Sequence, residues 1–347
     1  MSDYNQTSKR KTEHIEIVMN EQVNALYKTT GFENYQFKHL ALPEIDFSSI
    51  DLSTAIFDKK VDTPFLISSM TGGTEDAWQI NQKLATVAQA RGWAMSTGSV
   101  RSAIENPQTA YTFNIRKYAP DIPIIANLGA VQFNYGYGVD ECKKAVEITE
   151  ADALVMHLNT LQEVFQPEGD TNFNGLLSKI SKVCSELNVP VGIKEVGWGI
   201  DGDLANQLYE KGVSFIDVAG AGGTSWSEVE KHRNITNSIK QRAADTFREW
   251  GIPTSRCIQE IHSVAPKCIL IGSGGMRNGL DAAKAFALGA DLVGFGGSIL
   301  SSAVESEEHL SERLEQIELE CKIAMFGIGV KTIQELQNTD RLEYDKR

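Results

Sequence analysis

From residue 61 onward, short apolar runs rich in β-branched residues alternate with amphipathic stretches, separated by glycine or polar turns. The runs predict strands over 64–70, 93–97, 123–128 and 153–158, and again over 190–195, 215–219, 268–272 and 291–295. Helical periodicity between them predicts helices over 75–91, 106–118, 139–149, 174–187, 203–211 and 280–288. Strands that are apolar along most of their length belong to a parallel sheet covered by helices on both faces. Eight such units in one run predict a closed (β/α)8 TIM barrel in preference to an open, doubly wound sheet. Two segments break the rhythm. Residues 1–60 form an extension expected to pack on the barrel of 61–347, and residues 226–250 lengthen the connection after the sixth strand. That insertion is polar and reads either as a lid over the barrel mouth or as an oligomer contact. No element is assigned beyond residue 295.

A barrel of this kind carries its site at the C-terminal ends of the strands, with phosphate often held after the seventh and eighth. The seventh strand runs into Gly272-Ser273-Gly274-Gly275-Met276-Arg277-Asn278-Gly279, and the eighth ends in Gly294-Phe295-Gly296-Gly297-Ser298. Glycines let backbone approach an anion, and a following helix presents unpaired N–H groups to it. One such turn is explained by tight geometry alone; two on adjacent strands point to a phosphate and are similar to the FMN phosphate grip of other flavin barrels. The remaining strand ends are polar or glycine-rich too: Thr71-Gly72-Gly73, Ser96 to Arg101, Asn127, Lys194-Glu195 and Gly222-Gly223-Thr224. A lone Asn or Lys there reads as a solvated cap, but a full ring of them suits a flat flavin. Lys194 is placed to stabilise negative charge on a reduced ring.

The fourth strand end is the densest: His157-Leu158-Asn159-Thr160-Leu161-Gln162-Glu163. If the strand continues to Asn159, His157 and Asn159 share one face, with Gln162 and Glu163 in the loop above. Alone, His157 reads as a hydrogen-bonded core residue and Glu163 as a solvated carboxylate. Together they offer a donor, an amide and a hard oxygen ligand of the kind Mg2+ takes beside phosphates and water. Near the start, Arg10 and Lys11 with His14 form a basic group that is either a solvated tail or an arm over the mouth that grips a diphosphate.

These motifs, RKxxH (Arg10, Lys11, His14), SMTGG (Ser69–Gly73), SxR (Ser99, Arg101), NxG (Asn127, Gly129), HxNxxQE (from His157), KExG (from Lys194), GAGGTSW (Gly220–Trp226) and SGGxRxGxDxxKxxALGA (from Ser273), span nearly the whole chain. The chain resembles the type 2, FMN-dependent isopentenyl-diphosphate isomerases. The last motif is shared with other FMN barrels, whereas RKxxH, HxNxxQE and GAGGTSW are far more specific. The resemblance implies FMN held by Met70, Thr71, Gly72, Ser99, Asn127, Lys194, Thr224, Gly275, Met276, Arg277, Gly296 and Gly297. It implies diphosphate contacts from Arg10, Lys11, Ser99 and Arg101, with His157 and Asn159 assisting, Gln162 against the substrate and Glu163 carrying Mg2+. Gln162, His157, Asn159 and Lys194 are the implied catalytic group. Reduced FMN would act as acid and base in shifting the double bond between isopentenyl and dimethylallyl diphosphate in isoprenoid biosynthesis, NADPH would reduce it, and the chains would form homotetramers or homooctamers. Ala219, Val100 and Gly296 stand where family members often have Ser, Gln and Ala.

Composition narrows the alternatives. A formal charge of −13 argues against a nucleic-acid partner, though a local pocket can still be basic. The five scattered cysteines suggest neither a disulfide framework nor a zinc site, and no apolar stretch reads as a signal or membrane span, so a soluble cytoplasmic protein is expected. The rival reading is an FMN-dependent 2-hydroxy-acid dehydrogenase or oxidase. Such enzymes place His and Arg after the sixth strand, where this chain has Gly222-Gly223-Thr224-Ser225-Trp226.

Overall fold

A computed structural model describes residues 3–233 and 238–345. Eight parallel strands close on themselves: β1 (Phe65–Ile67), β2 (Ala94–Ser99), β3 (Ile124–Gly129), β4 (Ala153–His157), β5 (Val191–Lys194), β6 (Phe215–Asp217), β7 (Ile269–Gly272) and β8 (Leu292–Phe295). Gly294 pairs with Leu66 where β8 returns to β1, completing the expected TIM barrel.

Alternation along each strand builds two apolar layers. Leu66, Ala94, Ile125, Ala153, Val155, Phe215, Ile271 and Leu292 fill the interior. Their neighbours, among them Phe65, Ile67, Met95, Leu154, Met156 and Ile216, pack outward against the helices. Gly192 is the small member of the interior: a Cβ there would lie 2.2 Å from the Phe215 ring.

The extension serves both ends of the barrel. A hairpin of Thr54–Ile56 and Lys59–Val61 joins the interior cluster through Ile56, Val61 and Phe57. Its two-residue turn holds Phe57 at φ 49° and Asp58 at φ 60°, the left-handed pair a tight hairpin needs. Left-handed backbone costs a non-glycine residue roughly 1–2 kcal/mol. The Phe57 ring, 5.0 Å from that of Phe215, offsets this by entering the bottom of the barrel. At the other end, helix Asp3–Asn20 lies on the mouth; outside the barrel, residues Tyr35–Phe37 pair with Leu342–Tyr344 in a separate two-stranded sheet.

The insertion forms two helices, Trp226–Arg233 and Ser238–Thr246; residues 234–237 of this segment lie outside the described residues. Three expectations change. The helix expected over 106–118 is a short helix, Arg101–Glu105, followed by a 3-10 run, Pro107–Phe113. Pro107 forces Asn106 into extended backbone (φ −133°, ψ 97°) and so ends the first helix. The fourth strand stops at His157: Asn159 turns off at ψ 45° and caps helix Thr160–Phe165, so Gln162 and Glu163 sit in a helical turn and not in a loop. Finally, helices Gly297–Glu305 and Glu307–Ile328 follow β8.

Gly192→Ala should cost roughly 1–3 kcal/mol of stability through overpacking. Denaturant unfolding should show partial recovery when Phe215→Leu is added; equal stability of Gly192→Ala and wild type would contradict the packing described.

Candidate active site

Near the C-terminal end of every strand, the inward-facing position turns polar or small. Leu66 is followed two residues on by Ser68, Ala94 by Ser96, Ile125 by Asn127, and Val155 by His157. Likewise Gly192 gives way to Lys194, Phe215 to Asp217, Ile271 to Ser273 and Leu292 to Gly294. The barrel is thus oily below and polar above. A cavity of about 710 Å³ opens over this ring, within the range of roughly 300–1,000 Å³ usual for small-molecule sites.

The floor is backbone against backbone. A Cβ on Gly223 would lie 2.6 Å from the Gly275 Cα, and one on Gly98 2.3 Å from the Thr71 carbonyl oxygen. Gly274 and Gly275 have φ of 97° and 69°, so the β7 turn requires glycine. Thr224 reaches the β8 turn, its Oγ1 3.5 Å from where a Gly297 Cβ would stand. Helix Gly297–Glu305 begins here without a side-chain cap. The buried hydroxyls of Ser68, Thr71 and Ser298 line the cavity without a hydrogen-bond partner among the described residues. Such atoms call for a polar ligand, and with the glycine floor they fit a phosphate-bearing flavin. Met70, Ser99, Met276, Arg277 and Gly296 complete the predicted flavin set in the cavity wall. Gly72 does not line it; its side-chain position faces the Phe113 ring, which a Cβ would approach to 2.2 Å. Arg277 remains largely exposed, 3.7 Å from Asp281.

Lys194, opposite Asp217 in the β5–β6 register, donates from Nζ to the Glu195 carbonyl at 2.5 Å. Glu195 Oε2 accepts from the N–H groups of Val196, Gly197, Trp198 and Gly199. Burial pushes the Glu195 carboxyl up to about 7 against those donors. His157 Nδ1 lies 2.8 Å from Asn127 Oδ1, so Nδ1 donates and Nε2 presents a lone pair. Burial, followed by the nearby cations Lys194, Arg10, Arg101 and Lys11, lowers the imidazole to about 3, leaving it neutral at physiological pH.

Around the rim, the N-terminal helix places Arg10 and Lys11 in the cavity wall, so they are not a solvated tail. Lys11 Nζ donates to the Ser99 carbonyl at 3.0 Å and lies over the Phe113 ring; burial, then Arg10, lowers it to about 7. Arg101 is held by Glu105 at 2.7 Å and Asp170 at 2.9 Å. Glu163 is buried, with Oε1 accepting from Asn159 at 2.7 Å and Oε2 from the Asp170 N–H at 2.7 Å. Burial raises its pKa despite those donors and the charge of Arg10, so a cation would favour the ionised form. Asn159 Oδ1 is buried without a partner among the described residues. One carboxylate beside an unpartnered amide oxygen suits a hard cation completed by phosphate oxygens and water.

The sequence reading missed the residues that hold the cover down. Glu230, wholly buried, accepts from Gln162 at 3.2 Å and Arg233 at 2.7 Å and contacts His14 at 2.9 Å. Burial works against its charge, but His14 and Arg233 outweigh it, and its pKa lies below the ordinary value. Arg233 also reaches Glu13 and Glu168, and Trp226 stacks edge-on to His14 at 5.0 Å. Nothing in the polar helix Trp226–Arg233 marks Glu230 for burial; Ser68, by contrast, was recoverable from the two-residue step after Leu66.

Comparison with known proteins fits this geometry. A family model described as FMN-dependent dehydrogenase matches residues 140–342. An isopentenyl-diphosphate delta-isomerase of Nostoc sp. is 51% identical over 342 residues, covering 99% of this chain and 97% of that protein. One from Oceanobacillus iheyensis is 50% identical over 335 residues, 96% of each chain. The chain belongs to the isopentenyl-diphosphate delta-isomerase family. With the FMN-dependent segment, it falls in the type 2 branch of that family. Among solved structures, an (S)-mandelate dehydrogenase has a TM-score of 0.68 at 16% identity, covering 97% of this chain and 99% of its own. A lactate oxidase from Pediococcus acidilactici has 0.66 at 18%, covering 98% and 94%. At such identities they share the fold.

The depressed His157 pKa has a pH consequence. Between the unfolded value near 6.5 and about 3, the unfolded chain takes up a proton at this site that the folded chain refuses. Stability from this group is therefore complete above about 6.5 and falls as pH drops. NMR should show no His157 titration between pH 5 and 8, and His157→Gln should flatten the acid limb of the stability curve. A mid-range titration would remove the neutral assignment.

Proposed function

We propose that the chain interconverts isopentenyl diphosphate and dimethylallyl diphosphate, with FMN on the glycine-lined floor and the diphosphate under the N-terminal helix. The observation that carries this reading is one cavity in which hydroxyls unpartnered among the described residues, a basic rim and a buried carboxylate converge. The family relationship supports it. When bound and reduced by NADPH, FMN would supply the proton donor and acceptor for the double-bond shift and an electron-rich ring to offset the positive charge of protonation.

The chain's residues prepare that chemistry. Arg10, Lys11 and Arg101, with Ser99, bind the diphosphate, and Arg offers phosphate oxygens a two-pronged contact. Glu163 would carry Mg2+ for it, and Asn159 helps to hold the diphosphate. Lys194 stabilises negative charge on the flavin ring. Gln162, steadied by Glu230, touches the hydrocarbon part of the substrate. His157 is too weak a base to carry a proton at neutral pH. To help hold the diphosphate it donates from Nε2–H, with the Asn127 amide turned to donate to Nδ1. A cationic species must be kept from water; the helices bearing His14 and Trp226 provide the cover. The proposal includes a cytoplasmic homotetramer or homooctamer without a nucleic-acid partner. No helix among the described residues is long and apolar enough to cross a membrane.

Two experiments test it. The enzyme, reduced anaerobically with dithionite and freed of excess, should make many dimethylallyl products per flavin and leave the flavin reduced. One product per flavin, with the flavin oxidised, would point to a redox enzyme. Glu163→Gln keeps the shape but removes the charge a hard cation needs, so activity should fall by more than about a hundredfold, beyond the roughly 10–100-fold lost when a residue supporting a metal ligand is replaced, with FMN content unchanged. Wild-type rates at limiting Mg2+ would take Glu163 out of the metal site.

A further inference from the structure

Asp170 occupies an unusual position between two parts of the rim. Its backbone N–H donates to Glu163 Oε2 at 2.7 Å, while its carboxylate Oδ2 accepts from Arg101 at 2.9 Å and from Gln132 Nε2 at 3.0 Å. It reaches Glu163 because Gly169 crosses tightly over the short helix: a Cβ on Gly169 would lie 1.7 Å from the Glu163 carbonyl oxygen. Any side chain there would lift the loop and carry the Asp170 N–H away from the carboxylate. Arg101 is meanwhile gripped on its second edge by Glu105, four residues on in its own helix. Its guanidinium is thus fixed between a local carboxylate and one anchored to Glu163.

We propose that Asp170 is a positioning residue that sets the spacing between the cation-bearing carboxylate Glu163 and the diphosphate-binding Arg101, so that cation and diphosphate are bound as one unit. This inference rests on the diphosphate reading above. Asp170 makes no contact with the reacting atoms in this role; it orients groups that do. Misplacement of such groups by about an ångström can cost a hundredfold in function.

The test is calorimetric titration of inorganic diphosphate into the FMN-loaded protein at low and high Mg2+. Asp170→Asn preserves the backbone N–H and the size of the side chain but removes the charge that orients Arg101. It should weaken diphosphate binding about tenfold, as expected for loss of a charge-assisted contact, and raise the Mg2+ concentration needed for binding. Flavin content and melting temperature should stay at wild-type values. In an Arg101→Lys background the same change should add less than about twofold, because the group it orients is gone. A full effect persisting in that background, or no effect in the wild-type background, would overturn the inference. If Asp170→Asn does not fold, Gln132→Ala, which removes the second donor to the same oxygen, takes its place: weaker, more Mg2+-dependent binding supports the inference and unchanged binding overturns it. If wild-type protein binds no Mg2+–diphosphate, the functional reading falls together with this one. If wild type binds but the variants match it, only the role of Asp170 falls.

Discussion

A carboxylate stripped of water persists as an anion only where cations and donors replace its hydration. Glu230 has no surface in contact with solvent, and it meets that demand with Arg233, His14 and Gln162. These partners come from the insertion helix, the N-terminal helix and the short helix after β4, so satisfying one charge fixes three segments relative to one another. Glu168 extends the arrangement by approaching both Arg233 and Arg10. Removing one partner of a buried ion pair typically costs about 3–5 kcal/mol. The cover over the mouth is therefore held through shared charges, not through independent contacts.

Beneath it, the barrel divides its inward positions by height. The lower ones are apolar because eight strands must bury their inner faces to close, and Phe57 completes that layer from below. The upper ones are free of that duty and carry Asn127, His157, Lys194 and Asp217. The polarity of the mouth is thus compatible with stability because the packing that closes the barrel lies a layer lower. The hydroxyls of Ser68, Thr71 and Ser298 above it are among the side chains that find no hydrogen-bond partner among the described residues.

The barrel was legible because parallel strands buried on both faces leave continuous apolar runs, and helices 75–91 and 139–149 were bounded as observed. The reading failed where one residue redirected the backbone: Pro107 split an expected helix and Asn159 ended a strand early. Helix Glu307–Ile328 was there to be read, since Leu310, Leu314, Ile317, Cys321 and Met325 recur at helical spacing and are buried. Most predicted site residues do line one cavity, because the motifs fall on strand ends that the topology gathers. Gly72 shares a motif with Thr71 yet serves packing against Phe113, a distinction that one sequence does not carry. Glu230 and Asp170 left no local signal, since their partners lie 216 residues away for His14 and 69 for Arg101.

That separation bears on how the molecule is assembled. The N-terminal helix precedes Glu230 and Arg233 by more than two hundred residues and six barrel strands. The entropy of closing so long a loop grows only logarithmically with its length, so the distance weakens the final contact little while delaying it greatly. The hairpin bearing Phe57 must likewise wait for Phe215 before its strained turn is offset. The N-terminal helix therefore cannot be pinned over the mouth until the insertion helix has been made, six strands further along the barrel.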